Sequence, residues 1–170
     1  LSACQINHFS AGKHCIYVSV CEQKLWLFCG GKLLKEYVVS TSRAPCSCVE
    51  GSLGTPLGLH KIDGKIGAGN PTDTVYVGRK PAGLISQQPA ERLSQNLITS
   101  RILRLRGLEE GVNAGGNLDT YNRYVYIHGT NREDRLGTPD SHGCILLSCA
   151  DAAEIFDIAS DGDAVLICKE

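Results

Sequence analysis

The chain contains no methionine and opens at Leu1, so it is expected to be a piece trimmed after an upstream segment, which would have decided the compartment. No apolar run approaches the length of a bilayer crossing and no secretory-leader pattern is visible, so no transmembrane segment is expected in this chain. Net charge is nearly absent as well, at −1, which removes the electrostatic case for nucleic acid or another polyanion as partner. Gly67-Ala68-Gly69 has neither the spacing nor the following helix of a phosphate cradle and reads as a turn. Cys46-Ser47-Cys48 has no second cysteine pair at ligand spacing, so loop thiols or bridges to other cysteines are expected there, and no metal. Alternation of strands with helices is missing too, which argues against a parallel doubly wound fold.

What is present fits one domain spanning residues 1–170, long enough for a full apolar core without metal or disulfide staples. Nine cysteines are many for a cytosolic protein and too few for a disulfide scaffold that replaces a core. Strands are expected over 15–21, 24–29 and 32–40, with Gly30-Gly31 a strong hairpin turn. A two-residue turn at Glu22-Gln23 would oppose Cys21 to Lys24 and put Cys15 and Cys29 on opposite sheet faces. Residues 57–62 and 74–77 read as short strands, with His60 on a strand surface. Over 80–118 the pattern is ambiguous: a short helix begins at Pro89-Ala90, 98–106 reads as a solvated strand carrying Arg101, Arg104 and Arg106, and 111–117 is a loop suited to a mobile cleft wall. Ser148 with Asp151 forms a capping box before a helix through Ala159, and Ala164 to Cys168 closes the chain as an apolar strand. The expected fold is mainly β, a sandwich or small barrel with one or two helices.

The chemistry-bearing stretch is Ser141-His142-Gly143-Cys144-Ile145-Leu146-Leu147, whose Cys144 lies sixteen residues after the histidine of His128-Gly129-Thr130. A thiol is mostly protonated at neutral pH, so a nucleophilic cysteine needs a base or electropositive surroundings. His128 is the candidate base, delivered to a sheet edge by the β-branched and aromatic run Arg123-Tyr124-Val125-Tyr126-Ile127. The turn-rich loop that follows, with Gly137, Thr138, Pro139 and Asp140, is suited to fold Cys144 back beside it. Gly143 would let backbone N–H groups converge as an oxyanion site. The alternative for these residues is the ordinary one: a buried small thiol and a hydrogen-bonded imidazole.

These two motifs resemble the signature of the L,D-transpeptidase catalytic domain, the YkuD family. Ile16-Tyr17-Val18, Gly30-Gly31-Lys32-Leu33 and Val39-Ser40-Thr41 are similar to its opening strands, and Thr55-Pro56-Leu57-Gly58 to its Thr-Pro-x-Gly turn. The resemblance implies a β-rich fold in the cell envelope, periplasmic or extracytoplasmic, acting on peptidoglycan stem peptides without cofactor. Cys144 would form a thioester with the donor stem, His128 would move the proton, and the Gly129 carbonyl would orient the imidazole. Backbone N–H groups of His142, Gly143 and Cys144 would hold the oxyanion, and Ser141, Thr130 and His142 would shape the cleft wall. Leu146 departs from the family, which usually carries Arg or Asn there. That change implies a weakened substrate contact, or its supply by Arg101, Arg104 or Arg132. Two alternatives remain: an L,D-carboxypeptidase or amidase using water, and a peptidoglycan-binding module whose turnover is impaired at Leu146.

Overall fold

The computed structural model describes residues 13–170; residues 1–12 of the expected domain, Cys4 among them, lie outside the described residues. Ten strands dominate: β1 (His14–Ser19), β2 (Lys24–Cys29), β3 (Lys32–Val38), β4 (Gly58–Ile66), β5 (Thr74–Val77), β6 (Lys80–Leu84), β7 (Ile98–Gly107), β8 (Tyr126–Gly129), β9 (Ile145–Leu147) and β10 (Ala164–Cys168). One-turn α1 (Ala90–Leu93) and α2 (Cys149–Ile158) complete the α structure. The sheet runs β3-β2-β1-β10-β4-β7-β5-β6, and β8 branches from β7 to carry β9. Beyond β3, Ser40 bridges Leu146 in β9 through two backbone hydrogen bonds of 3.0 and 2.8 Å. The sheet therefore curls until the segment after its first edge meets its branch.

The main core lies inside this curl. Ile16 and Val18 from β1, Leu25 and Leu27 from β2, Leu103 and Leu105 from β7 and Ile127, Ile145 and Leu147 pack against Ile155 and Phe156 of α2. The helix starts where its sequence says it should, with Ser148 Oγ accepting the Asp151 N–H at 3.0 Å. Alternation on β8 and β9 then sends the opposite set of side chains, Tyr126 and His128 with Leu146, to the other face.

Several sequence expectations change here. Gly30-Gly31 does close a two-residue hairpin, with φ of 55° and 80° and Cys29 opposite Lys32. The first hairpin does not: Ser19 opposes Lys24 and His14 opposes Cys29, a register two residues away from the expected one. The cause is Gln23, which takes a φ of 53° and buries its amide against Val20 O (2.6 Å) and Thr41 (2.7 Å), widening the turn. Cys15 and Cys29 still occupy opposite faces. β7 is a central, largely buried strand rather than a solvated one, because it pairs with β4, β5 and β8 at once. The loop at 111–117 is tied down by Asn113, fully buried, whose amide donates to Leu57 O and Leu59 O, both at 3.1 Å.

His60 is fully buried rather than on the surface, its ring held between Gly58 O (3.0 Å) and the Thr120 hydroxyl (3.2 Å). Burial pushes its pKa down to about 4. An unfolded histidine takes up its proton below about 6.5, so stability contributed by the neutral ring is lost as pH falls from there towards 4, by up to roughly 3 kcal/mol. Urea midpoints measured from pH 7 to pH 4.5 should fall, and His60→Gln should make that fall shallower. An unchanged slope in the variant would show that His60 is not buried neutral.

Candidate active site

β8 is shorter than the sequence suggested. Asp119 accepts the Asn122 N–H (2.9 Å) and Tyr124 takes a φ of 57°, so 121–124 is turn and the strand starts at Tyr126. His128 consequently sits within the strand, and its pairing is what builds the site. β8 and β9 run parallel, with Ile127 opposite Ile145 and His128 opposite Leu146. One step back in this register lies Cys144, beside Tyr126. Its sulfur accepts the Tyr126 N–H at 3.4 Å and its thiol faces the Tyr124 carbonyl at 3.7 Å. Side chains of paired rows in parallel strands share a face, so thiol and imidazole are diagonal neighbours on the face turned away from the main core. A second, smaller apolar cluster of Tyr76, Ile102 and Tyr126 packs against Cys144 there.

The imidazole is oriented by its own strand. His128 Nδ1 lies 2.7 Å from the Gly129 carbonyl oxygen, which can only accept. Nδ1 therefore carries the proton and Nε2 is the free base. That carbonyl is available because β7 bulges opposite it, between Thr99 and Ile102, with Ser100 at a φ of 63°. Gly129 has to be glycine: a methyl group there would lie 2.9 Å from the Thr99 carbonyl and hydroxyl oxygens and from Ser100 Cβ.

The loop carrying the thiol is braced from below. Ser141, buried, donates its hydroxyl to Cys144 O at 2.6 Å and accepts the Gly143 N–H at 3.2 Å. Gly143 takes a φ of 125° against the 53–54 segment, and a methyl group there would lie 3.3 Å from Gly54 O. The N–H groups of His142 and Cys144 have no acceptor among the described residues, whereas that of Gly143 is already committed to Ser141. His142 is exposed, and its Nε2 faces an Arg43 guanidinium nitrogen at 2.8 Å.

Three residues expected to meet substrate, Ser141, Thr130 and Leu146, are buried. Ser141 is the brace just described. Thr130 is buried, its hydroxyl donating to Asn96 at 2.9 Å and accepting the Arg132 N–H at 3.0 Å. Leu146 is 1% exposed, between Ser40 and His128; an arginine there would have to bury its charge beside the imidazole, which is costly without a partner. The arginines expected to stand in for it are engaged elsewhere: Arg132 with Asp140 (3.2 Å), Arg104 on the Tyr121 ring (3.8 Å), Arg101 over Phe156 on the core side (5.6 Å). The cation that acts on the thiol is Arg123, read from the sequence only as part of a strand. It donates to Ser47 O (3.0 Å) and Gly54 O (2.8 Å) and so holds the loop facing Gly143.

Burial dominates the electrostatics. The Cys144 thiol is pushed up to about 11 by desolvation, against the opposing pull of the Tyr126 N–H and Arg123. The His128 imidazole is pushed down to about 4 by desolvation, against its bond to Gly129. Burial thus favours the neutral form of both thiol and base, with the proton on sulfur. Such a pair can transfer that proton as the sulfur attacks, but does not store a free thiolate.

Comparison with known proteins bears on the family and the fold. The model of the YkuD family, described as the L,D-transpeptidase catalytic domain, matches residues 13–167. No curated protein matches the chain. Among solved structures, an L,D-transpeptidase from Mycobacterium smegmatis has a TM-score of 0.54 at 21% identity, covering 92% of this chain and 58% of that one. L,D-transpeptidase 3 from Mycobacterium tuberculosis, in complex with a faropenem-derived adduct, gives 0.55 at 16% identity, covering 91% and 60%. An L,D-transpeptidase from Stackebrandtia nassauensis gives 0.53 at 18%, covering 94% and 57%. The chain therefore spans less than two thirds of each of these neighbours. With the family model matched from β1 to β10, this chain belongs to the L,D-transpeptidase catalytic-domain family.

Proposed function

We propose that this chain catalyses acyl transfer on peptidoglycan stem peptides in the cell envelope through a thioester on Cys144. The observation that carries the reading is the pairing of β8 with β9, which sets a neutral thiol diagonally beside an imidazole whose free nitrogen is Nε2. Cys144 Sγ attacks the carbonyl of the donor's third residue while its proton passes to His128 Nε2. The oxyanion is held by the free N–H groups of His142 and Cys144, with Gly143 bracing the turn through Ser141. Collapse expels the terminal D-residue as its amine, protonated by His128. The imidazole then takes a proton from the acceptor amine as it attacks the thioester, restoring the thiol. Arg123, fixed near the thiol, offsets the negative charge that passes through the sulfur and the oxyanion.

Intact-mass spectrometry after exposure to a tetrapeptide donor should show one acyl adduct, mapped to Cys144 and lost in Cys144→Ser. Faropenem, named with one of the solved relatives, serves as a second acylating probe. An adduct on Cys46 or Cys149 would overturn the assignment. His128→Ala should slow acylation by roughly a hundred- to ten-thousand-fold, and near-native rates would remove His128 from the mechanism.

Because the thiol is neutral at rest, Cys144 should not be the first cysteine alkylated by iodoacetamide at pH 7; exposed Cys21 should precede it. The acid limb of kcat/KM should rise with pH through about 4, where the coupled pair loses its extra proton, and not near the 6.5 of a free imidazole. A limb centred near 6.5, or Cys144 labelled first, would contradict the neutral pair.

A further inference from the structure

Four guanidinium groups surround the Cys144 face, and none of Arg43, Arg79, Arg104 and Arg123 has a carboxylate within ion-pair distance among the described residues. Among the described residues Arg106 pairs with Asp63, and Arg132 and Arg135 with Asp140, while Arg92 and Arg101 also have no carboxylate partner. Four of the six guanidinium groups without a carboxylate partner are therefore those around Cys144. Two of the four are committed in other ways, and a third, Arg43, is exposed to solvent. Arg123 spends its fork on Ser47 O and Gly54 O, with Ser52 Oγ at 3.5 Å. Arg104 is stacked with Arg106 on the Tyr121 ring, each 3.8 Å from its centroid. Arg43 is exposed and tied to His142.

Arg79 is different. It stands at the tip of the β5–β6 hairpin, next to Gly78, with a φ of 68°. From there it reaches back over the site: Nη1 donates to the Tyr126 hydroxyl at 3.1 Å and the guanidinium lies 5.0 Å from the Tyr124 ring centroid. Those are the same two residues whose backbones hold the thiol, Tyr126 through its N–H and Tyr124 through its carbonyl. Arg79 and Cys144 thus stand at opposite ends of one tyrosine. A single hydrogen bond leaves most of the guanidinium's donors free for a planar, two-oxygen acceptor.

We propose that Arg79 is a specificity-determining residue that binds a carboxylate on the acyl half of the donor. The polarity follows from the proton path. The leaving amine has to receive its proton from His128, so the leaving half lies on the His128 side of the sulfur. The acyl half then extends the other way, over Tyr126 and Tyr124, to Arg79. The inference rests on the thioester reading given above and adds to it the chemical feature by which the donor is chosen.

The test compares two tetrapeptide donors that differ only in the acyl half, with its side-chain and α-carboxylates free or converted to carboxamides. Acylation of Cys144 is timed by intact mass over a range of donor concentrations. The native chain should prefer the free acid by roughly ten- to a hundredfold in kcat/KM, mainly through KM, as expected for a charge-assisted pair. Arg79→Gln should bring the free-acid donor down to the level of the amide, Arg79→Lys should keep part of the preference, and Arg43→Gln should keep the full ratio. Thermal melting confirms that each variant is folded. A preference that survives Arg79→Gln, or an equal loss on both donors, overturns the proposal and leaves Arg79 as a brace for Tyr126. Equal acylation of the native chain by both donors also overturns it, while leaving the thioester reading intact. Acylation by neither donor brings down the thioester reading itself.

Discussion

The parallel pairing of β8 with β9 is the constraint on which the rest of the site depends. Four residues of one strand and three of the other fix which face His128 occupies, which residue stands next to it, and where the loop before β9 has to deliver its thiol. A slip of one residue would turn Cys144 and His128 to opposite faces. The pairing is guarded on both sides: β7 backs β8 along its length, and Ser40 bridges β9 from beyond β3. A parallel contact needs a long connection, and residues 130–144 provide it, folded onto Arg132–Asp140 and the Ser141 brace.

The electrostatic consequence is a thiol and an imidazole that burial holds towards their neutral forms. Two groups whose free forms titrate near neutrality are driven apart by burial, the thiol up and the imidazole down. Charge arises only during the reaction, and the fixed partial and full charges around it, two free N–H groups and Arg123, do not have to reorganise when it does. The same burial makes the imidazole a source of acid sensitivity, shared with His60.

Much of this was legible in the sequence because it is local. The capping box at Ser148, the Gly30-Gly31 turn and the short apolar strands follow from nearest-neighbour preferences, and the two His-Gly motifs carried both the family and the nucleophile. The mainly β character and the curled sheet agree with that expectation. What was missed is long-range. β7 looked solvated because its arginines alternate unevenly with leucines, yet three strands compete for it and bury it. The first hairpin shifted by two residues because Gln23 finds hydrogen-bond partners as far away as Thr41. Arg123 was hidden inside an apparent strand, and only the Asp119 turn and the positive φ of Tyr124 swing it towards the thiol. Leu146, Thr130 and Ser141 lie beside or within the motifs in sequence, but their burial depends on partners far along the chain.

The central claim is that thiol and imidazole are both neutral at rest, with the proton of His128 on Nδ1. Nitrogen-15 NMR of the histidine side chains reads this directly. For His128 the account predicts a protonated Nδ1 and an unprotonated Nε2, unchanged from pH 5 to pH 8. Two protonated ring nitrogens at pH 7, the signature of an imidazolium paired with a thiolate, would contradict it.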